Sequence, residues 1–398
     1  MDITIHPGKL HGTVKAIPSK SHAHRVLICA AFANKETTVL CKETNEDIEA
    51  TADCLRALGA GITATDYGYF VVPIKELPAN ARLNCRESGS TLRFILPIVG
   101  ALGVDTTISM AGRLPERPLS PLWEEMERMG CKLDRPSKTT VHCTGKLQPG
   151  KYAISGGISS QFITGLLFAL SLIDGTSELQ IIGKLESAPY VNITKKVLQD
   201  FGVTITDKVI GSFPFSSPGS ICIEGDWSNS AFFYAAEKMG SNVKIAGLNQ
   251  DSPQGDRAVV EILQQLDAGY TEISVADIPD LVPILAVCAA TKHGAAFRHI
   301  QRLRLKESDR VATVCAMLEK FGAKCATTED TLTVRPAAFQ GCTIDAAGDH
   351  RIAMAAAIGA TVAADNVKIL GAQCVSKSYP SFWEVYKQLG GNYEQHIR

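Results

Sequence analysis

A short helix-ending pattern recurs along the whole chain and restricts its fold more than any other feature of the sequence. Two apolar residues three apart are followed directly by glycine, and the five copies end at Gly59, Gly130, Gly202, Gly322 and Gly390. A sixth copy, Leu263-Gln-Gln-Leu, is followed by Asp267 instead. Apolar residues three apart share one helical face, and glycine readily takes the left-handed conformation that ends a helix. We therefore predict six amphipathic helices.

The spacing of these copies indicates an internal repeat. Neighbouring copies are 55 to 72 residues apart, so six similar units account for all 398 residues. In each unit a polar loop leads into an apolar segment, at Ser21, Ser88–Ser90, Ser159–Gln161, Ser228–Ser230, Asp280 and Asp349–His350. Serine, asparagine and aspartate are typical N-cap residues, and segments that are apolar all round form buried helices. Each unit is thus predicted to run strand, buried helix, strand, amphipathic helix, strand, which is an α+β fold of mixed α/β repeats.

Charge and cysteine content exclude several classes of protein. The formal net charge is -1, which provides no global field for nucleic acid or an acidic membrane. The 12 cysteines show no C-x-x-C or other metal-binding spacing, and we expect buried free thiols in a reducing cytosol and no metal site. The N-terminus shows no targeting signal, and no apolar run approaches the ~20 residues needed to span a bilayer. We expect a cytoplasmic protein.

Cationic and hydroxyl residues are concentrated at the helix-starting loops and in a few loops between them. They include Lys20, Ser21, Arg25, Gly89 with its flanking serines, Arg93, Arg117, Ser159, Ser160, Gln161, Lys306, Arg310, Arg351 and Lys377. Lys306 and Arg310 are four residues apart, which predicts that they share one helical face, with Glu307 beside them.

A polyanionic ligand would explain this concentration of cations. Any single loop could equally be a simple helix cap, but cations are costly to bury without anionic partners. The sequence has few nearby acids to pair with all of them. Phosphate and carboxylate groups of a substrate would supply those partners, and arginine binds both in a bidentate manner.

Nine motifs in order give the chain a resemblance to a known family. They are Pro18-Ser-Lys20-Ser21 with Arg25, Ser88-Gly89-Ser90-Thr91 with Arg93, Glu116-Arg117-Pro118, Ser159-Ser160-Gln161, Ser187 with Tyr190, Ile278-Pro279-Asp280, Lys306-Glu307 with Arg310, Asp349-His350-Arg351 and Lys377 with Pro380. Over essentially its whole length the chain resembles the EPSP synthase (3-phosphoshikimate 1-carboxyvinyltransferase) family of enolpyruvyl transferases.

The resemblance implies a fold and an activity. The fold would be two inside-out α/β barrels, each of three βαβαββ-like units, with residues 1–18 and 224–398 in one discontinuous domain and residues 19–223 inserted. The activity would transfer the enolpyruvyl group of phosphoenolpyruvate to the 5-hydroxyl of shikimate 3-phosphate, in the shikimate pathway to chorismate and aromatic amino acids. The family needs no cofactor. A monomer is expected, with glyphosate as a candidate inhibitor.

The resemblance also assigns a role to each matching residue. Shikimate 3-phosphate would be bound by Lys20, Ser21, Arg25, Ser159, Ser160, Gln161, Ser187, Tyr190, Asp280 and Lys306. Phosphoenolpyruvate would be bound by Lys20, Gly89, Arg117, Gln161, Arg310, Arg351 and Lys377. The reaction needs two proton transfers, which we assign to Asp280 for the hydroxyl and Glu307 for the methylene carbon, with Lys20 or Lys377 able to share the second.

The sequence departs from the family pattern in three places. The first motif lacks a glycine often found between its proline and Ser19, and Glu87 stands where many members carry asparagine. Arg302 stands where some members have asparagine, so we leave it outside the predicted site.

Two alternative functions remain to be compared. The sister enolpyruvyl transferase acting on UDP-N-acetylglucosamine carries a reactive cysteine in a mobile loop, and the matching segment here, Ala111–Arg117, has none. A non-catalytic polyanion-binding relative would need a basic face or aromatic platforms, yet aromatics are only 7% of residues.

Overall fold

The chain forms two compact units, described here from a computed structural model that covers residues 1–206, 208–211 and 213–396. The discontinuous unit comprises Met1–Ile17 and Gly225–Arg398, and the inserted unit comprises Pro18–Glu224. Buried apolar side chains form one separate core in each unit. No helix among the described residues is long and apolar enough to cross a membrane.

Twelve α-helices occur in the described residues. They are α1 Lys20–Ala31, α2 Glu46–Ala57, α3 Gly89–Leu102, α4 Leu122–Arg128, α5 Ser160–Leu172, α6 Ala188–Asp200, α7 Trp227–Lys238, α8 Val259–Ala268, α9 Val282–Thr291, α10 Arg310–Phe321, α11 His350–Ala360 and α12 Phe382–Gln388.

The odd-numbered helices are the predicted buried ones, and they begin at or near the predicted polar loops. At α7 the predicted loop Ser228–Ser230 lies inside the helix, and Asp226 is the capping residue. In five of the odd-numbered helices the side chain of the capping residue accepts a hydrogen bond from a backbone N–H of the first turn. These capping residues are Ser19, Ser88, Ser159, Asp226 and Asp349. The exception is α9, which lacks a side-chain cap and follows a short 3-10 turn, Pro279–Leu281. Asp280 therefore lies in that turn and does not cap the helix.

The even-numbered helices are the predicted amphipathic ones, and five of them end at the predicted glycines. Each of these glycines has a left-handed backbone, with φ between 79° and 116°. The sixth helix, α8, continues to Ala268 and ends at Gly269, whose φ of 162° is extended. The repeated sequence pattern is thus confirmed as a set of helix ends.

Twenty-one strands complete the described fold. They are β1 Asp2–His6, β2 His11–Lys15, β3 Thr37–Leu40, β4 Gly61–Thr65, β5 Gly68–Val72, β6 Asn80–Asn84, β7 Asp105–Ser109, β8 Cys131–Ser137, β9 Thr140–Gly145, β10 Lys151–Ser155, β11 Thr176–Ile182, β12 Lys208–Ile210, β13 Ser220–Cys222, β14 Asn242–Ala246, β15 Thr271–Ser274, β16 Ala295–Arg298, β17 Cys325–Thr327, β18 Thr331–Val334, β19 Cys342–Asp345, β20 Val367–Leu370 and β21 Asn392–His396.

The strands form six sheets, three in each unit. The inserted unit contains β13-β3-β5-β4, β6-β7-β9-β8 and β10-β11-β12, and the discontinuous unit contains β14-β2, β15-β16-β18-β17 and β19-β20-β1-β21. All four four-stranded sheets begin with a parallel pair followed by two antiparallel pairs. This is a mixed α/β architecture in which helix N-termini meet polar loops.

The twelve cysteines are all free, as predicted. Eight are buried, three are partly exposed and Cys222 is exposed. Their packing in or near the two cores is consistent with small apolar side chains.

Candidate active site

Arg310 lies at the centre of a buried ion-pair network in the discontinuous unit. It is the first residue of α10, and its side chain is 1% exposed. Nη1 donates to Asp280 Oδ1 at 2.6 Å, Nη2 donates to Glu307 Oε2 at 2.6 Å and Nε donates to Asp349 Oδ2 at 2.9 Å. Burial opposes its charge, but these carboxylates raise the pKa of Arg310 well above its ordinary value. Arg310 therefore stays charged and fixes three carboxylates around itself.

Asp280 is contacted by two further cations. Arg351 reaches its backbone oxygen with Nη1 at 3.2 Å and its carboxylate with Nη2 at 3.4 Å. Lys306 Nζ lies 3.4 Å from Oδ1. Burial alone would raise the pKa of the Asp280 carboxyl, but Arg351, Lys306 and Arg310 together hold that pKa well below its ordinary value. Asp280 is thus ionised and positioned by cations from three segments of the chain.

The predicted helical relation between Lys306 and Arg310 is wrong. Lys306 follows a 3-10 turn, Gln301–Leu305, with an extended backbone, and α10 begins only at Arg310 because Asp309 caps it. The two side chains still meet at Asp280. Burial, opposed by Asp280, lowers the pKa of Lys306 to about 8, and Arg302 in the preceding turn adds to this lowering. Lys306 is therefore still mostly protonated at neutral pH, although its charge is less stable than that of an exposed lysine.

Asp349 organises the start of α11. The sequence predicted that a helix begins at this residue but not its contacts with neighbouring side chains. Its carboxylate is fully buried and accepts hydrogen bonds from the Arg351 backbone N–H at 3.0 Å and from Ser308 Oγ at 2.9 Å. Lys377 lies close by, with Nζ donating to the Gly348 carbonyl at 3.3 Å. The signal was available, because Asp349 lies two residues before the predicted substrate-binding Arg351.

The expectation that these cations lack acidic partners is wrong for four of them. Arg310, Arg351 and Lys306 all contact Asp280. In the inserted unit, Lys20 Nζ donates to Asp47 Oδ2 at 2.8 Å, with both side chains largely buried. The acids come from distant parts of the chain, which inspection of sequence neighbours could not detect.

Arg25 does match the expectation of a buried cation without a carboxylate. It forms no ion pair within the described part of the chain, and its donors are taken by neutral oxygens of Thr194 (2.8 Å), Ser21 (2.6 Å) and Tyr190 (3.0 Å). Its guanidinium also lies 5.0 Å from the centre of the Phe94 ring. Burial lowers the pKa of Arg25 to about 9. An anionic group at this position would stabilise its charge.

Gly89 makes room for two arginines at the start of α3. A Cβ built on it would lie 2.6 Å from Arg117 Nη1 and 2.7 Å from Arg93 Nη1. Arg93 Nη1 donates to Gln161 Oε1 at 2.9 Å, and Gln161 Nε2 donates to Ser90 Oγ at 3.0 Å. The structure thus brings Gly89, Arg117 and Gln161 together as predicted residues and adds Arg93, which we had noted but left outside the site.

The predicted hydroxyl residues of the inserted unit occupy two helix starts. Ser159 caps α5 by accepting from the Gln161 backbone N–H at 3.3 Å, and Ser160 is the first residue of that helix. Ser187 precedes α6 with a left-handed φ of 56°, and the Tyr190 carbonyl accepts from Arg25. Arg25 therefore connects α1 to the start of α6.

Glu87 lies against the segment that carries Arg117. A Cβ added to Gly112 would overlap the Glu87 carboxylate, so the two residues are in close contact. This family-unusual acid is positioned to influence the loop before Arg117. No group of His, Cys, Asp and Glu side chains in residues 1–206, 208–211 and 213–396 could hold a metal ion.

The chain is similar in sequence to one enzyme family along nearly its entire length. The family model described as EPSP synthase (3-phosphoshikimate 1-carboxyvinyltransferase) matches residues 5–386. The 3-phosphoshikimate 1-carboxyvinyltransferase of Clostridium kluyveri is 37% identical, over 99% of this chain and 98% of the relative. That of Clostridium beijerinckii is 36% identical, over 99% and 98%.

Solved structures share the fold. The EPSP synthase of Acinetobacter baumannii superposes with a TM-score of 0.80 at 23% identity, covering 99% of each chain. The enolpyruvyl transferase NikO of Streptomyces tendae gives a TM-score of 0.74 at 18% identity, covering 100% of this chain and 99% of that one.

Proposed function

The chain belongs to the EPSP synthase family, and from this premise we propose that the residues described above carry out its reaction. The reaction transfers the enolpyruvyl group of phosphoenolpyruvate to the 5-hydroxyl of shikimate 3-phosphate, giving 5-enolpyruvylshikimate 3-phosphate and phosphate. It is a step of the shikimate pathway towards chorismate and the aromatic amino acids. The observation that carries the assignment of roles is the network in which Asp280 is held by Arg310, Arg351 and Lys306.

Phosphoenolpyruvate binding is assigned to cations that differ in how closely protein carboxylates hold them. Arg310 is committed to three carboxylates, so it stabilises negative charge and holds Asp280 and Glu307 in place. Arg351 contacts Asp280 at 3.2 and 3.4 Å, which is long for a charged hydrogen bond, and we assign it to a substrate carboxylate or phosphate. The other residues assigned to this substrate are Lys377, Lys20, Gly89, Arg117 and Gln161.

Shikimate 3-phosphate binding is assigned mainly to the inserted unit. Arg25 would gain a full negative partner from the phosphate, which would reverse the cost of its burial. Hydroxyl groups can orient both the phosphate and the ring hydroxyls. The set comprises Ser159, Ser160, Ser187, Tyr190, Ser21, Lys20 and Gln161, with Asp280 and Lys306 placed for the 5-hydroxyl.

The chemistry is an addition followed by an elimination. Asp280 takes the proton of the 5-hydroxyl as its oxygen attacks the enol carbon, and a second group delivers a proton to the methylene carbon. Asp280 is a weak base while three cations hold it, so its basicity rises when the anionic substrates draw Arg351 and Lys306 away. Glu307 is assigned the second transfer, with Lys20 or Lys377 able to share it. In the elimination, the group that delivered the proton takes one back from the methyl group as phosphate leaves, which re-forms the carbon–carbon double bond and gives the enol ether product.

The finer architecture is also proposed. Three βαβαββ-like repeats in each unit would form an inside-out α/β barrel. Two examples of this order have all four strands in one sheet: one runs from β6 through α3, β7, α4 and β8 to β9, and the other from β15 through α9, β16, α10 and β17 to β18. The shared pairing order of the four-stranded sheets supports the repeat. We also propose a cytoplasmic monomer that is open to inhibition by glyphosate.

The sister reaction on UDP-N-acetylglucosamine is the competing function. The segment Ala111–Arg117 has no cysteine, and the family match favours shikimate 3-phosphate. A non-catalytic relative is disfavoured because Asp280, Glu307 and Lys377 are all present.

Phosphate release tests the proposed function. The protein should release phosphate from phosphoenolpyruvate only when shikimate 3-phosphate is added, and UDP-N-acetylglucosamine should not replace it. Asp280→Asn should lower kcat by at least about 100-fold with KM changed far less, because it removes the base and keeps the shape. Release with the sugar nucleotide alone, or with neither acceptor, would contradict the assignment. A collapse of affinity at unchanged kcat would remove Asp280 from the role of base.

A further inference from the structure

Asp256 is a buried acid beside the network that the proposed mechanism does not use. It lies in the 3-10 turn Gly255–Ala258 and is 4% exposed. Its Oδ1 is buried without a hydrogen-bond partner, and it forms no ion pair within the described part of the chain. Asp280, Glu307 and Asp349, in contrast, each contact Arg310 directly. Asp256 therefore differs from these three acids in having no cation bound to it.

Charged groups face Asp256 from three neighbouring elements. Asp280 comes from the turn before α9, Arg351 from the first turn of α11 and Asp226 from the start of α7. The two acids oppose ionisation of Asp256, and Arg351 favours it. The first turn of α7 adds Ser228, whose hydroxyl favours the ionised form of Asp256.

The balance of charge favours a neutral Asp256. Asp280 and Asp226 both oppose a charge on Asp256, while Arg351, which favours it, already contacts Asp280. Burial, reinforced by Asp280, raises the pKa of Asp256 to about 7. A group with this pKa changes its charge within the working range of a cytoplasmic enzyme.

We propose that Asp256 holds a proton in the resting protein below neutral pH and acts as a positioning residue, whose neutral side chain lets Arg351 interact with phosphoenolpyruvate. The inference rests on the proposed function, since it assumes that Arg351 binds that substrate. When Asp256 loses its proton, its new charge attracts Arg351 and repels the incoming anion. Phosphoenolpyruvate then binds more weakly, while the reacting groups stay in place.

A kinetic comparison of wild type with Asp256→Asn tests this link. Asparagine has the shape of the neutral acid and cannot ionise, so the variant should keep kcat within about threefold and lose one source of pH dependence. KM for phosphoenolpyruvate is measured at pH 6 and pH 8. The ratio of wild-type KM to variant KM should rise by about fivefold or more from pH 6 to pH 8. Fivefold is about the smallest coupling that is typical between two binding events. Because the ratio is taken, titration of the substrates themselves cancels.

Asp251→Asn is the matched control. Asp251 is an exposed acid in the same loop, five residues from Asp256. The ratio of the wild-type KM to the KM of Asp251→Asn should therefore be the same at pH 6 and pH 8. A constant ratio for Asp256→Asn in an enzyme that does release phosphate would overturn the inference. Asp256→Ser, also neutral and smaller, repeats the comparison if the asparagine variant does not fold.

Thermal unfolding provides a readout that needs no activity. A carboxyl whose folded pKa is raised contributes stability that is present at pH 4 and is lost as the pH rises through about 7. The Tm of wild type should therefore fall relative to that of Asp256→Asn between pH 4 and pH 7. Parallel Tm curves would overturn the proton-holding role even if the proposed function failed in the phosphate assay.

Discussion

At the scale of single residues, the cations of this protein are stabilised in two different ways. Arg310 is buried among three carboxylates, and its charge is fully matched inside the protein. Arg25 is equally buried but is held by hydroxyl and carbonyl oxygens and a ring face. The first arrangement fixes the geometry of the carboxylates that we propose to be catalytic, and the second leaves a charge that the proposed ligand would pair with.

Gly89→Ala should weaken phosphoenolpyruvate binding. The added methyl group would meet Arg117 Nη1 and Arg93 Nη1 below 3 Å, so at least one guanidinium must move. Loss of one charged hydrogen bond costs about 1.5–3 kcal/mol, and we expect KM for phosphoenolpyruvate to rise at least about tenfold. KM for shikimate 3-phosphate should change much less.

Gly8→Ala is the matched control for that variant. Gly8 has no heavy atom within 4 Å of an added Cβ, so its kinetic constants should equal those of wild type. An unchanged KM for phosphoenolpyruvate in Gly89→Ala would show that Arg117 does not bind this substrate.

At the scale of elements, different interactions determine where each helix begins and where it ends. A side-chain oxygen at the N-terminus satisfies backbone N–H groups that have no partner within the helix, as Ser88 does for α3. A glycine at the C-terminus reverses the chain, as Gly322 does after α10 with a φ of 98°. The buried helices bring their polar starts, with Gly89, Ser160 and Arg351, to positions where ligand groups can bind.

Gly322→Ala should destabilise the discontinuous unit through its backbone alone. The added Cβ would make only ordinary contacts, at 3.7 Å or more, but the left-handed conformation costs an alanine about 1–2 kcal/mol. The loss should appear as a lower urea midpoint with an unchanged m-value.

Gly269→Ala, at the corresponding end of α8, is the control. Its φ of 162° suits any residue and its Cβ would meet nothing within 4 Å, so stability should stay within about 0.5 kcal/mol of wild type. Equal losses in the two variants would refute the conformational explanation.

At the scale of the whole molecule, each unit has its own core and its own ends. Where the inserted unit begins and ends, the Ser19 backbone N–H donates to the Glu224 carbonyl at 2.8 Å. In the discontinuous unit, the Asp226 backbone N–H donates to the Ile17 carbonyl at 2.8 Å. The insertion therefore leaves and re-enters at adjacent points, an arrangement that domain insertion favours.

A fragment of residues 18–224 should fold by itself. It contains one complete apolar core, and its ends already meet. We expect helical circular dichroism and a single cooperative urea transition. A fragment of equal length covering residues 34–240 would lose α1 and gain α7 without its partners, and it should not unfold cooperatively. Non-cooperative unfolding of the 18–224 fragment would mean that its core depends on the other unit.

The sequence by itself determined the helix ends, the alternation of buried and amphipathic helices and the family. These features depend on local patterns, such as serine before an apolar run or glycine after one, and on motif order. Only the tertiary structure decided how most of the cations are paired, since Asp280 and Asp349 meet Arg310 from separate segments, and Asp47 meets Lys20 from the next helix. It also corrected the helical placement of Lys306 and revealed buried Asp256. Burial and charge pairing depend on distances between remote residues, which local sequence patterns do not specify.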